Sequence, residues 1–359
     1  LKWLSGAPPQ FALPDRIGTL HSVSSPAVPI NFVCVHPERW PSFFQDAQPR
    51  IELTAHNVST HEDCMIIQPY AELQQAGFEV ELSTAPRPEA INLISAIDFH
   101  LSDWRRDCFF LASQADWIRP RIAHSIIAIN PVEAERYGDF APAFFPQTGM
   151  IPRDPTRENV IRSLAFFGVE TNLGSQFREP SFATALEQLG VKFTVRGFDP
   201  VSRTSDWHDY SDVDAVLAIR SLPAAEIRLK PELKLINAWV SGTVGIFGPE
   251  PAYQHLRTSP FDFIEASTAE QVIEAIRTVN ENPGEFDKRA ARARERAVYY
   301  QKERVIQRWI AMLEGPASDQ FREFQQTGMV SRCVRFASNA ALQRADFERH
   351  RRRQSSRTF

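Results

Sequence analysis

The chain has 359 residues, enough for two domains of ordinary size, and 43% of them are hydrophobic, as in an ordinary soluble globular protein. Its formal net charge of -4 identifies no partner by itself. The basic and aromatic residues form no RNA-binding signature, so we expect no nucleic-acid partner.

The four cysteines predict neither a zinc site nor a redox motif. Cys34, Cys64, Cys108 and Cys333 are scattered, with no CxxC pair, and Cys34 and Cys108 lie within apolar runs. We therefore expect free, buried thiols in a reducing compartment. No secretory signal and no apolar run long enough to span a bilayer is recognisable, and we predict a cytoplasmic protein.

The first half of the chain predicts strands that alternate with helical spacers. Residues 1–28 are interpreted as an irregular arm. Short apolar runs predict buried strands at 30–35, 91–97, 108–112 and 125–130. The stretch YAELQQAGFEVEL predicts a helix, a glycine stop and a further strand. This alternation is typical of a layered βα domain.

A second series of elements follows a proline-rich linker, APAFFPQTGMIPRDPTREN. Strands are predicted at 163–168, 192–197, 212–220, 244–247 and 262–266. Helices are predicted at 177–190 and 268–280, and one long charged helix at 283–313. The fold class is therefore α/β, with two tandem Rossmann-like domains, 1–150 and 151–315.

The remaining segment, 316–359, is predicted to be a helical basic tail. Its apolar residues have amphipathic spacing: Phe321, Phe324, Val330, Val334 and Phe336. Its end carries the basic run 349–353. A solvated, partly frayed helix is one interpretation, and an arm in peripheral contact with an anionic membrane is the other.

The stretch KPELKLINAWVSGTVGIFGPEPAY, which starts at Lys230, predicts an anion site. Pro231 suits a first helical turn, and Lys230, Lys234 and Asn237 recur on one polar helix face. Lysines at a helix N-terminus oppose the helix dipole, and a bound diphosphate would remove that penalty. The loop that ends in Glu250 follows a strand, at the sheet edge where ligands bind. An exposed helix that merely carries two lysines is the alternative.

This stretch, followed by DFIEASTAEQVIEAIRTVNENPGEF, resembles the donor-site segment of GT-B glycosyltransferases. The patterns K-P-x-x-K-L-x-N-A-W and G-P-E-x-A-Y are similar to a bacterial group of family-1-type glycosyltransferases and, more loosely, to α-1,3-fucosyltransferases. The segments FPQTGMIPRDPTREN, SLAFFG and DWHDYSDVDAVLAIR extend the resemblance over about 140–290. It extends weakly into the first half through STHEDCMIIQPYAELQQAGFEVEL and INLISAIDFH. The resemblance implies two Rossmann-like domains that face a cleft.

The resemblance also implies a nucleoside diphosphate sugar as co-substrate, held mainly by the second domain. Lys230 and Lys234 would face the diphosphate, and Arg220 would be a second phosphate contact. Asn237 and Glu250 would lie near the sugar or the ribose. The other implied donor-site positions are Gly168, where the backbone would approach the donor, Glu170 or Asn172 after it, and Gly248 in the loop. No separate cofactor and no metal are expected, because lysines and helix N–H groups can stabilise the leaving diphosphate.

Two departures from the family pattern limit what the resemblance implies. The paired glutamates of many retaining GT-B enzymes are absent, since Leu233 or Lys234 stands where an acidic residue is expected. Thr243-Val244 replaces the common Val-Pro. The stereochemical outcome and the ribose contact are therefore unassigned.

The acceptor-side base is expected in the first half of the chain. His61 precedes a predicted helix in THEDCMIIQPY, and Asp98 follows a predicted strand in AIDFH; they are the preferred pair. Further candidates in these loops are Glu62, Asp63 and His100, and His208 belongs to the donor half. The alternatives are that Thr60 or Asp63 only caps a helix, that His100 is a surface histidine, and that His208 only packs its turn.

These observations together predict a metal-independent GT-B glycosyltransferase that transfers a hexose to a glycan, a lipid-linked or a small-molecule acceptor. One alternative is a sugar-nucleotide epimerase of the same fold, and another is a non-catalytic module that binds a sugar nucleotide or a partner protein. No GxSxG, P-loop, GxGxxG or HExxH motif occurs in the sequence.

Overall fold

The computed structural model describes residues 26–45, 55, 57–199 and 204–355. The irregular arm predicted at 1–28 falls almost entirely outside these residues. The described strands form two parallel five-stranded sheets and one antiparallel two-stranded pair.

The first sheet is built from the apolar runs of the first half. Its strands are β1 (Ile30–Val33), β2 (Glu81–Ser83), β3 (Ile91–Ser95), β4 (Phe109–Ser113) and β5 (Ser125–Ile127). The helices here are α1 (Ser42–Gln45), α2 (Gln68–Gln75), which continues a π-helical turn Asp63–Ile67, and α3 (Pro131–Tyr137). Strands β1, β3, β4 and β5 are buried throughout, as expected for a parallel sheet that other elements cover on both faces.

The second sheet repeats this construction. Its strands are β6 (Ser163–Phe167), β7 (Lys192–Arg196), β10 (Ala215–Ala218), β11 (Val244–Phe247) and β12 (Ile264–Glu265), while β8 (Phe198–Asp199) and β9 (Thr204–Ser205) form the antiparallel pair. The helices are α4 (Pro180–Gln188), α5 (Ala224–Ile227), α6 (Leu233–Ser241), α7 (Pro251–Leu256), α8 (Ala269–Glu281) and α9 (Glu285–Ala297). The predicted strands of this half are therefore confirmed within a few residues.

The two large sheets share one strand order, and this order places the candidate site. The orders are β2-β1-β3-β4-β5 and β7-β6-β10-β11-β12. If the five strands of each sheet are counted in chain order, both sheets place them side by side as second, first, third, fourth and fifth. In such a doubly wound sheet the direction of winding reverses between the first and third strands. Ligands bind outside the carboxyl ends of the strands at that reversal. The expected binding positions are therefore the segments after β1 and β3 and those after β6 and β10.

Helix α6 begins later than the sequence predicts. Glu232 precedes it with φ -76° and ψ 1°, and Leu233 is its first residue, so the placement of Pro231 in the first helical turn was wrong. Gly242, with φ 75°, ends the helix in the left-handed conformation, as the predicted glycine break requires. Lys234 thus lies in the first turn, while Lys230 lies in the segment before the helix.

The predicted single helix at 283–313 is also wrong, because the chain breaks after α9. A short 3₁₀ turn, Val298–Tyr300, leads to Gln301, whose ψ of 143° is extended, and α10 (Lys302–Met312) then starts in a new direction. Helix α9 packs on α6, whereas α10 packs on α2. Trp309 of α10 is buried in the core of the first half, and its indole N–H donates to the Ala143 carbonyl at 3.1 Å. The chain therefore returns to the first half.

Two further helices, α11 (Ser318–Gln326) and α12 (Met329–Ser355), complete the described chain. Phe321 and Phe324 are buried with ring centroids 5.7 and 5.6 Å from Phe109, and Phe336 stacks on Trp104 at 4.1 Å. This packing on the first sheet was not predicted for the segment 316–359.

The division of the chain into domains at 150 and 315 stays a prediction. Cys34 and Cys108 are buried free thiols as expected, whereas Cys333 on α12 is exposed. None of the described helices has both the length and the apolar character needed to cross a bilayer.

Candidate functional site

A cluster of charged residues lies at the winding reversal of the second sheet. Arg220 is the second residue after β10, Glu250 is the third after β11, and Lys234 lies in the first turn of α6. Arg220 and Glu250 lie close enough to Lys234 to influence its pKa. Three residues that the sequence assigned to a donor site are therefore brought together.

Glu250 holds Arg220 in a fixed orientation. Arg220 Nη1 donates to Glu250 Oε2, and the side chains are only 6% and 3% exposed. Burial raises the pKa of the Glu250 carboxyl, and the adjacent guanidinium offsets only part of that effect. The second carboxylate oxygen, Oε1, is buried without a hydrogen-bond partner among the described residues. An unsatisfied buried acceptor of this kind is costly unless a ligand supplies a donor.

Lys234 is a half-buried cation without an ion-pair partner. Its ammonium nitrogen lies 4.1 Å from the centroid of the Phe166 ring. No carboxylate in the described part of the chain comes within ion-pair distance of it. Burial, and next the charge of Arg220, hold the pKa of Lys234 well below its ordinary value. A bound anion would stabilise the protonated form and relieve this destabilisation.

Gly168 makes room for that ammonium group. Its φ of 147° favours glycine, and a Cβ atom at this position would lie 3.0 Å from Lys234 Nζ. Its own N–H donates to the Arg196 carbonyl at 3.0 Å. In this structure Gly168 therefore contributes space for Lys234, while its N–H group is already engaged.

Lys230 forms its ion pair outside the cluster and connects the two halves of the molecule. Its ammonium group forms an ion pair with Asp116, the third residue after β4. The amide of Asn130 donates to the carbonyl oxygens of Arg228 at 2.8 Å and of Lys230 at 3.0 Å. These bonds fix the segment before α6 against the carboxyl edge of the first sheet.

The remaining predicted donor positions have structural contacts. Asn237 Oδ1 accepts from the Gln147 N–H at 3.0 Å, which fastens the linker to α6. Gly248 donates to the Ala218 carbonyl at 3.0 Å and has ordinary space for a Cβ atom. Asn172 ends a short 3₁₀ turn, Glu170–Asn172, one residue before the isolated bridge between Leu173 and Arg220. These contacts leave the proposed ligand roles of the three residues untested.

A polar pocket of about 470 Å³ occupies the corresponding reversal in the first sheet. Both preferred base residues, His61 and Asp98, line it. The other lining residues are His36, Glu38, Arg39, Thr60, Glu62 and Ile97. The first half therefore brings the two sequence candidates into one site.

His61 is held by hydrogen bonds at both ring nitrogens. Nε2 lies 3.2 Å from the Gln114 carbonyl, which only accepts, so Nε2 carries the hydrogen. Nδ1 lies 3.2 Å from Ser95 Oγ and accepts from that hydroxyl. Burial lowers the pKa of His61, which favours this neutral form. The lone pair that a general base needs is therefore already occupied.

His36 is a residue of this pocket that the sequence analysis missed. Its Nε2 lies 3.3 Å from Asp98 Oδ1, and its Nδ1 lies 3.4 Å from Glu38 Oε1. Burial acts to lower the pKa of His36, but the hydrogen bond to Asp98 and the charge of Glu62 raise it above its ordinary value. His36 and Asp98 are each the third residue after their strands, β1 and β3, a signal that becomes readable only once the strand order is known.

The structure places the other base candidates, Asp63, Glu62, His100 and His208, in different surroundings. Thr60 Oγ1 accepts from the Asp63 N–H at 3.2 Å, and the Asp63 carboxylate accepts from the Thr60 N–H at 2.7 Å, so these two residues cap the start of the helix as the alternative for them predicted. Burial raises the pKa of Glu62, which lines the pocket and accepts from the Val35 N–H. His100 is exposed and lies outside the polar pocket, in a neighbouring cavity. In the second half, the His208 carbonyl accepts from the Ile151 N–H at 2.8 Å.

The polar pocket of the first half and the charged cluster of the second half are linked through the residues after β4. His61 donates to Gln114, the first residue after β4, and Asp116, two residues later, forms the ion pair with Lys230. Lys230 in turn influences the pKa of Lys234. The described residues include no cluster of three or more His, Cys, Asp or Glu side chains that is arranged to hold a metal ion.

No family model and no curated protein matches the chain. Among solved structures, the TarM crystal structure is similar at 10% identity and a TM-score of 0.47, over 64% of this chain and 55% of that chain. The glycosylation-associated protein (Gap123) complex from Streptococcus agalactiae is similar at 11% identity and a TM-score of 0.42, over 63% and 55%. AviGT4, a glycosyltransferase involved in avilamycin A biosynthesis, is similar at 14% identity and a TM-score of 0.46, over 80% and 98%.

The chain thus spans just over half the length of the first two of these structures. At these identities and TM-scores, the likenesses carry no inference about the activity of this chain.

Proposed function

We propose that the chain is a GT-B-type glycosyltransferase that transfers a hexose from a nucleoside diphosphate sugar to an acceptor hydroxyl. The observation that carries the proposal is the half-buried ammonium of Lys234, which lies beside Arg220 with no carboxylate in ion-pair distance among the described residues. The resemblance of the segment 230–253 to glycosyltransferase donor sites supports the same assignment.

The donor diphosphate is assigned to the cations of the second half. Arg220 follows a strand at the winding reversal, and Lys234 faces the same edge from α6. An anionic ligand of a doubly wound sheet is expected at that reversal. The unpartnered Oε1 of Glu250 would accept a hydrogen bond from a hydroxyl group of the sugar or the ribose. The two cations would also stabilise the negative charge that develops on the departing diphosphate.

The transfer step moves one sugar and one proton. The acceptor oxygen forms a bond to the anomeric carbon, and the bond from that carbon to the diphosphate oxygen breaks. The electron pair of that bond leaves with the nucleoside diphosphate. The acceptor proton passes to the pair formed by Asp98 and His36, which share the polar pocket 3.3 Å apart. His61 positions Ser95 and Gln114 in this scheme.

The charge needed for departure of the diphosphate is assigned to protein cations, so we propose a metal-independent transfer. Turnover is then expected to persist in EDTA. Stimulation of an EDTA-treated sample by Mg²⁺ or Mn²⁺ would contradict this part of the proposal.

A binding experiment tests the donor site. UDP, GDP, CDP and ADP are titrated calorimetrically into the wild type, Lys234→Met and Lys288→Met. Lys288 is an exposed lysine on α9 and serves as the matched control. We expect one or more diphosphates to bind the wild type, Lys234→Met to weaken that binding at least about tenfold, and Lys288→Met to leave it unchanged.

Two outcomes would change the assignment. If no nucleoside diphosphate binds the wild type, the donor site is wrong. If binding is normal but no sugar is transferred or hydrolysed from a panel of sugar nucleotides, the chain is a non-catalytic sugar-nucleotide-binding module. Interconversion of the sugar on the nucleotide would instead identify an epimerase.

A further inference from the structure

A second and larger cavity of about 910 Å³ lies beside the polar pocket, between the carboxyl-edge loops of the first sheet and helix α12. Its wall is largely hydrocarbon and aromatic, and includes Ile97, Phe99, Leu101, Trp117, Ile118 and Phe347. Its volume is in the range of about 300–1,000 Å³ found for pockets that bind drug-sized molecules.

Helix α12 forms a fixed wall of this cavity. Asp346 pairs with Arg121, and the Gln343 side-chain oxygen accepts from the Ile122 N–H at 3.1 Å. The His350 ring packs edge-on against Trp117 with centroids 4.3 Å apart. These contacts hold the part of α12 that carries Phe347 against the loops after β4.

The cavity leaves large apolar side chains in contact with solvent. Ile97 is 50% exposed and Phe347 is 44% exposed, and both line the cavity from opposite sides, one on a loop and one on α12. Apolar surface in a concave site is stabilised when a hydrocarbon ligand displaces the water. The lining therefore favours a ligand whose larger part is hydrocarbon.

The cavity adjoins the groups assigned to the transfer reaction. Ile97 lines both the cavity and the polar pocket, and the next residue is Asp98. Asp116 also lines the cavity and pairs with Lys230 of the segment that leads into α6. A ligand with its hydrocarbon body in the cavity would thus present its polar end toward Asp98 and the donor half.

We propose that this cavity binds the acceptor, and that the acceptor is a hydrophobic alcohol, with a hydrocarbon body against α12 and a reactive hydroxyl beside Asp98. The inference rests on the proposed glycosyltransferase function. Such an alcohol is either dissolved in water or embedded in a bilayer, and the chemistry that the cavity recognises is the same in both cases.

Binding of simple alcohols tests the cavity directly. Hexan-1-ol, octan-1-ol and decan-1-ol are titrated into the wild type without nucleotide. We expect the affinity to rise up to about fourfold for each added methylene group, as burial of hydrocarbon requires. An affinity that does not change with chain length would overturn the proposal.

Two matched pairs of variants locate the binding. Ile97→Asn and Phe347→Ser change the cavity wall, whereas Ile151→Asn and Leu342→Ser change residues that are 46% and 49% exposed and do not line it. Because all four side chains are about half exposed, the folded state is expected to tolerate each change. We expect the first pair to weaken decan-1-ol binding at least about tenfold and the second pair to leave it unchanged. Equal effects in both pairs would place the binding elsewhere.

The failure of this inference is distinguishable from failure of the proposed function. The same samples are titrated with the nucleoside diphosphate that the wild type binds, and the cavity variants are expected to bind it normally. Diphosphate binding without alcohol binding rejects the acceptor class and leaves the proposed function standing. Alcohol binding without diphosphate binding rejects the proposed function, and with it the role of the alcohol as an acceptor.

A final measurement identifies the chemistry and the source of the alcohol. With a donor sugar nucleotide present, mass spectrometry is expected to detect the decyl glycoside, and its absence from a sample that turns over another acceptor would reject the proposal. Co-sedimentation is then compared for phosphatidylcholine vesicles with and without incorporated hexadecan-1-ol. Sedimentation only with the alcohol-containing vesicles would assign a bilayer source, and binding of free decan-1-ol without sedimentation would assign a dissolved one.

Discussion

The two halves of the molecule repeat one strand order but place different chemistry at the point where the winding reverses. In the first half, the reversal holds His36 and Asp98 as a hydrogen-bonded pair. It also holds His61 as a neutral ring with a hydrogen bond at each of its two nitrogens. In the second half, the reversal holds Arg220, bound by Glu250, and Lys234, a cation without such a partner. The repeated strand order gives each half an equivalent edge, and the few residues after each strand give the two edges different charges.

Removing the carboxylate of the first half is expected to give the largest effect on activity. Asp98→Asn removes the proposed proton acceptor, so we expect kcat to fall by about 10²–10⁴-fold with nucleoside diphosphate affinity unchanged. Steady-state kinetics and calorimetry on the same preparation measure the two quantities. Asp107→Asn, at an exposed carboxylate of the same half, is the control and is expected to behave as wild type.

Retention of turnover in Asp98→Asn would mean that the polar pocket of the first half does not supply the base. The comparison between a proton-accepting half and an anion-binding half would then be wrong, even if the donor site remained.

Removing the carboxylate of the second half is expected to destabilise the protein. Glu250→Gln leaves the buried guanidinium of Arg220 without its counter-charge, and we expect the free energy of unfolding to fall by about 3 kcal/mol. Glu265→Gln is the matched control, because Glu265 is 41% exposed and pairs with Arg257 at the surface at 2.7 Å. Its effect is expected to be at most about 1 kcal/mol. Urea denaturation measures both, and equal losses would show that the burial of the Arg220 pair is unimportant.

Removing the unpaired cation is expected to have the opposite effect on stability. Lys234→Met eliminates a charge that burial disfavours, so we expect the unliganded variant to be more stable than wild type by about 1 kcal/mol. The difference is expected to be largest below the lowered folded-state pKa of Lys234, where the ammonium is charged in both states. It should shrink as pH rises from there toward the unfolded-state value of about 10.4, because the folded wild type then loses the proton first.

Thermal or urea denaturation between pH 6 and pH 10 measures this difference, with Lys288→Met as the control at an exposed lysine. A variant less stable than wild type at every pH would mean that Lys234 is already well compensated without a ligand. The contrast between the two halves would then not be electrostatic.

The apolar runs of the sequence were sufficient to locate most of the strands. The prediction of β11 was correct to the residue, and the runs at 91–97 and 108–112 contain or overlap β3 and β4. Short, fully apolar segments between turn residues carry this information locally, which is why it was readable.

The site was predictable only where local sequence determined it. The sequence assigned Lys234 and Arg220 to one site, and the structure brings the two residues together because both lie next to recognisable elements. Lys230 was expected beside Lys234 and instead pairs with Asp116, 114 residues away in the sequence. His36 was missed for a related reason, since its partner Asp98 follows a different strand. The break at Gln301 was hidden because the stretch AVYYQKER around it contains neither glycine nor proline to mark it.

The return of α10 to the first half means that two chain crossings, not one, join the halves. The first is the linker held by the bonds of Gln147 to Asn237 and of Ala143 to Trp309, and the second is the segment around Gln301. A cleavage in the linker would leave β1–β5 attached to the rest of the chain only through noncovalent contacts, such as their packing on the helices after Gln301, α10 among them. Because the two crossings join the halves at two points, we expect any opening between the halves to be a rotation about the line through both crossings.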